Sequence, residues 1–291
     1  MLVPAFLRGS RFSCLAGRLF ALLLMLNAAV AAASQGDKPL EFGVFPNLSA
    51  RTVVAIYQPL RSYLEKHLGR PVRIYTAPTF KDFIERSLKK EYDLMLAAPH
   101  FARLAETDAG YVPLAVYSRE LRAILVVPKD SPYKTVADLK GKAVAVPDPL
   151  ALMSMFAVQM LRDNGLTPGK NVGLINVRGH DNAVLSVIHG ESAAAATSAA
   201  PLGQMPEDTQ SQVRVLATSD KVPHQAFMAS PRLPPTEVEQ LRKLLLDFAR
   251  SPEGRTFLEV NQFGGLRPLG RGELKQLDPY ATETKKILGI P

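Results

Sequence analysis

From Leu40 onward the apolar positions switch repeatedly between two spacings. Short, nearly continuous apolar runs at Leu40–Phe45, Val72–Tyr75, Tyr92–Ala97 and Tyr111–Tyr117 predict strands. Between them the apolar residues recur every three or four positions, as on one face of a helix. Ser49 stands where a helix would be capped. The stripe Val53, Ile56, Tyr57, Leu60 and Leu64 follows it, and Gly69 ends the pattern. Thr79–Leu88 reads the same way, and a short helix lies between His100 and Tyr111. Such strand-helix alternation predicts a mostly parallel sheet covered on both faces.

The β-branched run Ala123–Val127 leads out of this unit, and the turn Pro128-Lys129-Asp130-Ser131-Pro132 closes it. A second series then begins: strand Ala143–Val146, helix Leu150–Asn164, strand Val172–Val177, helix Asp181–His189 and the small strand Ala193–Ala196. Val213–Ala217 and Gln225–Ala229 read as strands returning to the first unit. Pro235–Arg250 is a helix with Val238, Leu241, Leu245 and Phe248 on one face, and Pro252–Asn261 and Arg271–Ile287 are further helical stretches. The second series is inserted in the first, so the expectation is an α/β protein of two lobes joined by two crossovers. Lobe 1 takes residues 34–122 and 218–291, and lobe 2 takes 123–217. Two extended connections between tightly coupled lobes make a hinge.

The first 33 residues follow another logic. Arg8, Arg11 and Arg18 precede the apolar core Leu19–Val30, and Ala31-Ala32-Ala33 offers small residues for cleavage, which predicts a secretory signal peptide and a periplasmic protein. Cys14, the only cysteine, lies before that core. The exported chain would hold no thiol, so disulfides and thiolate metal sites are excluded and stability rests on the packed core. The formal charge of +8 includes those three arginines and falls to +5 without them. With no basic run, nucleic acid is excluded as the expected partner, and an anionic small molecule is favoured. No glycine-rich phosphate loop, His-x-x-x-His pair or Gly-x-Ser-x-Gly elbow is present, so no enzyme, cofactor or metal is expected.

Candidate chemistry gathers where strands end and helices begin. The stretch Asp138–Ser154 (DLKGKAVAVPDPLALMS) is a strand, a Pro147-Asp148-Pro149 loop and a helix start, a place where ligands meet free N–H groups in open α/β sheets. His100 and His180 follow strands in the same way, and Asp181 stands ready to orient the His180 ring. Asn47 and Ser49 at the first helix start, and Thr197 and Ser198 after the strand Ala193–Ala196, offer polar groups to the same edge, although capping explains Ser49 equally well. Arg122, with Arg119 and Arg178, offers a guanidinium for an anion, set against the plainer reading of a solvated loop arginine.

These motifs, in order, carry a resemblance. LEFGVFP, PLRSYLEKHLGRPV, YDLMLAAPHFA, VADLKGKAVAVPDP, GHDNAVLSVIHGESAAA, VRVLATSDKVP and QFGGLRPL ahead of Asp278-Pro279-Tyr280 together resemble the phosphonate/phosphite-type periplasmic substrate-binding proteins of ABC importers. The resemblance implies a type II Venus-flytrap fold, a monomer that closes on a small solute, and delivery to an inner-membrane ABC permease. It also implies a ligand contact at His180. In the resembled family the loop after Asp-Pro carries a run of Ser and Thr hydroxyls that hold phosphonate oxygens. Here Leu150, Ala151, Leu152 and Met153 precede a single hydroxyl, Ser154. Each hydrogen bond lost to a charged ligand costs about 1.5–3 kcal/mol, so an altered ligand, anionic or partly apolar, is expected. Leu152 and Met153 predict an apolar, adaptable cleft floor. A periplasmic ligand-sensing partner of a membrane signalling protein is the alternative.

Overall fold

A computed structural model describes residues 38–290, and the signal-peptide reading of residues 1–33, with Cys14, lies outside them. The first strands and helices alternate in chain order: β1 (Leu40–Val44), α1 (Ala50–Leu68), β2 (Val72–Tyr75), α2 (Phe80–Leu88), β3 (Leu94–Ala97), α3 (Pro99–Ala109) and β4 (Val112–Tyr117). Local chemistry sets the ends of α1. The Ser49 hydroxyl accepts from Thr52 N at 3.2 Å, and Gly69 closes the helix in the left-handed conformation at φ 67°. Its buried face is Val53, Tyr57, Leu60 and Leu64, four members of the expected stripe.

The chain then crosses to a second sheet. It lays down β5 (Ile124–Pro128), β6 (Ala143–Val146), α4 (Leu152–Asp163), β7 (Gly173–Asn176), α5 (Gly179–Ile188) and β8 (Ala194–Thr197). The short helices α6 (Ala199–Gly203) and α7 (Glu207–Gln210) lead to β9 (Val213–Thr218), which pairs with β5 in this second sheet and so corrects the reading of Val213–Ala217 as a strand of the first unit. After the return come β10 (Ala226–Ala229), α8 (Pro235–Arg250), α9 (Pro252–Val260), β11 (Leu266–Pro268) and α10 (Asp278–Leu288). The sheets run β11-β4-β10-β3-β1-β2 and β7-β6-β8-β5-β9, so the molecule has two α/β lobes. The two crossovers touch where Leu121 and Val222 bridge, each N–H donating to the other's carbonyl at 2.9 Å.

The sheets are mixed, which corrects the expectation of mostly parallel ones. β2, β1 and β3 are parallel in one lobe and β7, β6 and β8 in the other, but β10 lies antiparallel to β3 and β4, and β5 antiparallel to β8 and β9. Both β10 and β5 are laid down just after a crossover, and the chain enters each sheet from the hinge side, against the run of its βα units. The stretch Arg271–Ile287 is also not one helix: a 3-10 turn at Glu273–Leu277 precedes α10, and β11 forms just upstream as an edge strand on β4.

Alternation along the strands divides the core. Phe42, Leu94 and Leu96 face α1, α8 and α9, while Met95 and Ala97 face the side of α2, α3 and α10. The second group is continuous with lobe 2: one buried apolar cluster holds Phe45, Ala98 and Phe101 of lobe 1 together with Leu150, Leu152, Met153 and Phe156 of lobe 2. α10 joins that contact. Arg103–Asp278 and Lys285–Asp108 pairs tie α10 to α3, and its Tyr280 ring meets Phe156 edge-on at 4.9 Å. The two lobes therefore share a buried contact on this side of the hinge.

Candidate functional site

Three parallel strands in each lobe deliver loops and helix starts to their carboxyl ends, and two of these edges meet. His100, in the first turn of α3, is fully buried, and its Nε2 lies 3.0 Å from the carbonyl oxygen of Leu150 in the other lobe. A carbonyl only accepts, so Nε2 carries the proton and Nδ1 presents a lone pair. Burial holds this ring neutral, with its pKa pushed down to about 4 against a smaller opposing effect from the Leu150 bond.

Leu150 owes its position to the loop between β6 and α4. Asp148 Oδ1 accepts from Leu150 N at 2.8 Å and Asp148 O from Ala151 N at 2.8 Å, so the acid folds the Pro147–Pro149 segment into a tight turn. The turn leaves α4 without a side-chain cap: Ala151 occupies the N-cap position, at φ -71° and ψ 134°, and offers no acceptor. As the first two helical residues, Leu152 and Met153 have N–H groups with no acceptor inside the helix. Ser154 is 2% exposed, and its hydroxyl meets no partner among the described residues. His100 Nδ1 and Thr76 Oγ1, the latter just past β2, are likewise buried and unpartnered. Unmet polar groups in the interior are uncommon and call for an explanation. Replacing Ala151 by serine supplies the missing acceptor, and Ala151→Ser is expected to stabilise the protein by about 1 kcal/mol, raising Tm by roughly 2–4 °C in thermal unfolding.

The other candidates fall into two groups. His180 in the first turn of α5 is half-buried, its Nδ1 3.5 Å from Thr197 Oγ1, and desolvation lowers its pKa while the Asp181 carboxylate opposes. Thr197 is fully buried at the end of β8, and Ser198 follows as a half-buried residue ahead of α6. By contrast Asn47, Ser49, Asp181 and Arg122 are exposed, and Ser49 spends its hydroxyl on the α1 cap. Arg119 donates to Gln262 O at 3.1 Å, on the outer face beside β11, and Arg178 is exposed ahead of α5. The structure thus brings together His100, Leu150, Ala151, Leu152, Met153 and Ser154, pairs His180 with Thr197, and leaves the arginines outside.

Thr76 was not among the expected residues, although it lies just past the carboxyl end of β2, where the rule that selected His100 also applies. His224 is a second omission. It sits on the returning crossover, 8% exposed, packed edge-on against Tyr117 at 5.6 Å, with an unpartnered Nδ1. Burial, aided by the Arg119 cation, pushes its pKa down to about 4. No local pattern marks it, because its burial depends on Tyr117 and Phe263 from distant parts of the chain. Among the described residues no three His, Asp, Glu or Cys side chains converge as metal ligands would.

The family model for the phosphonate periplasmic substrate-binding protein of ABC transporters matches residues 42–271. Among solved structures, a binding protein component of an ABC phosphonate transporter from Pseudomonas aeruginosa is 17% identical, with a TM-score of 0.70 over 86% of this chain and 88% of that one. PhnD1 of Prochlorococcus marinus, solved with methylphosphonate, is 15% identical, with a TM-score of 0.73 over 86% and 99%. The aliphatic sulphonate binding protein SsuA of Escherichia coli is 17% identical, with a TM-score of 0.57 over 87% and 88%. At these identities the structures share the fold, while the family model spans most of the chain. With the two βα lobes and the two crossovers, that match settles the family: the chain belongs to the phosphonate-type periplasmic substrate-binding proteins of ABC transporters.

Proposed function

We propose that this protein, the periplasmic substrate-binding component of an ABC importer, captures a small solute at the α4 start, between His100 of lobe 1 and Ala151–Ser154 of lobe 2. His180 and Thr197 form the adjoining wall. One observation carries the reading: buried polar atoms without partners, His100 Nδ1 and Ser154 Oγ, flank a helix start whose own N–H groups are free. An oxyanion suits such N–H donors, and the helix dipole adds about 0.3–2 kcal/mol. The apolar neighbours Leu152 and Met153 suit a small substituent on that anion.

Binding works by closure. Residues 38–122 and 218–290 move as one lobe and 123–217 as the other, about the crossovers joined at Leu121 and Val222. A solute that touches both walls only when they meet draws the open-closed equilibrium toward the closed form, the form an inner-membrane permease receives. The protein acts as a monomer, does no chemistry on the solute, and reaches the periplasm through cleavage after its first 33 residues. Small-angle scattering tests the reading: a phosphonate, sulfonate, carboxylate or amino acid is expected to reduce the radius of gyration. A panel of all four that leaves the radius unchanged overturns it.

A further inference from the structure

We infer that lobe 1 carries a second binding site, separate from the contact between the lobes, for a small organic dianion of the phosphate monoester type. The site is a recess of about 410 Å³ between α3, the start of β4 and the turn that leads to α10. β10 lies antiparallel to both β3 and β4, so those two strands run the same way, and Val112 marks the amino edge of the sheet. His100 stands at the opposite edge. The volume falls in the range of about 300–1,000 Å³ in which small molecules are held. The recess takes no residue from lobe 2 and does not depend on closure.

Its walls are cationic. Arg103 of α3, Arg271 and Lys275 line it, against the single carboxylate of Glu106. The acids nearest in the chain are spent elsewhere: Glu273 accepts from Arg267 at 2.8 Å and from Gly270 N at 2.6 Å, and Asp278 accepts from Arg103 Nε. Glu106 accepts from Arg103 Nη1 at 2.9 Å. Among the described residues Arg271 and Lys275 meet no carboxylate, and Arg103 Nη2 makes no hydrogen bond. Three cations against one carboxylate turn two positive charges toward one recess, which draws an anion of matching charge. Forked guanidinium donors suit the oxygens of a phosphate. The floor has the opposite character. Tyr111 is 2% exposed, Pro113 is buried and Val112 half-buried, and the Tyr111 hydroxyl already donates to Tyr92 O at 2.9 Å. An apolar group esterified to the phosphate covers that floor, which a bare inorganic ion would leave in water.

Phenyl phosphate, at a pH where it is a dianion, is the probe, with inorganic phosphate as the ring-free control and phenol as the uncharged one. In heteronuclear NMR of the purified protein at constant ionic strength, phenyl phosphate is expected to give saturable shifts at the amides of Val112, Gly272 and Lys275 and not at those of Ala151–Ser154. Inorganic phosphate should move the same amides with severalfold weaker affinity, and phenol should leave them unmoved. Arg271→Ala combined with Lys275→Ala removes two exposed cations, so the fold should survive, as thermal unfolding checks, while affinity for phenyl phosphate falls roughly 10- to 100-fold. An absence of saturable shifts at these amides, shifts centred on Ala151–Ser154, inorganic phosphate binding as tightly as phenyl phosphate, or an affinity unchanged in the double variant each overturns the inference. The scattering panel decides the receptor reading separately, because it reads lobe closure, in which this recess has no part.

Discussion

Lowering the pH from 7 to 5 is expected to remove about 4 kcal/mol of folding stability, half through His100 and half through His224. Both imidazoles are buried, and burial is the larger cause that brings each folded-state pKa down to about 4 from an ordinary value of 6.5. Below pH 6.5 the unfolded chain takes up a proton on each ring while the folded protein does not. Stability is therefore fully present above pH 6.5, falls as the pH drops, and levels off near pH 4, where the folded rings protonate as well. Each loses about 1.4 kcal/mol per pH unit over that window, or about 2 kcal/mol between 6.5 and 5. His180 is shifted in the same direction and adds to the slope.

Urea unfolding at pH 7, 6 and 5 reads this directly, and His100→Gln and His224→Gln should each remove about half of the pH dependence. Stability that stays flat from pH 7 to 5 would show that water reaches both rings and that neither is desolvated as the fold implies. The two histidines sit where motion is expected, one across the lobe contact and one on a crossover. Acid should accordingly loosen the lobe contact before it unfolds either lobe.

Gly254→Ala is expected to cost about 3 kcal/mol and to lower Tm by roughly 6–12 °C. α8 and α9 share Ser251 as the end of one helix and the cap of the next. Its N–H donates to Asp247 O and Phe248 O, and its hydroxyl accepts from Gly254 N at 3.0 Å. This sharp joint presses the last turn of α8 against the first turn of α9. A Cβ at Gly254 would stand 1.7 Å from Phe248 O, a backbone atom that cannot swing aside. The joint would have to open, and Phe248 and Phe257, whose rings lie 5.5 Å apart and pack against Tyr63 at 5.2 Å and Tyr57 at 5.8 Å, would shift with it. Gly203→Ala in α6, with open space around its Cα, is the control and should leave Tm within about 2 °C. Equal melting of the two variants would refute the account of the joint.

The family and its fold were legible because order along the chain is a local property repeated many times. The α1 stripe, the Ser49 cap and the Gly69 stop all depend on residues within a few positions of one another, and the same holds for the buried face of α8. Strand direction was less accessible: an apolar run such as Ala226–Ala229 looks the same whichever way it enters a sheet, so the antiparallel placement of β10 and β5 emerges only from the path of the crossovers. The three residues of β11 carry too little pattern to announce a strand and pair because β4 offers them an open edge.

The candidate site divides along the same line. The residues of the chain alone singled out His100 and the Ala151–Ser154 loop as candidates, since both lie where a strand gives way to a helix, and they showed that the hydroxyl run expected of the family is missing. Tertiary structure decided the rest. It set His100 against a carbonyl 50 residues away, left Nδ1 and Ser154 Oγ buried without partners, and placed the exposed arginines outside the contact. The physical reason is that burial and hydrogen-bond partnership are properties of two surfaces meeting, and neither surface is written in the few residues on either side of it.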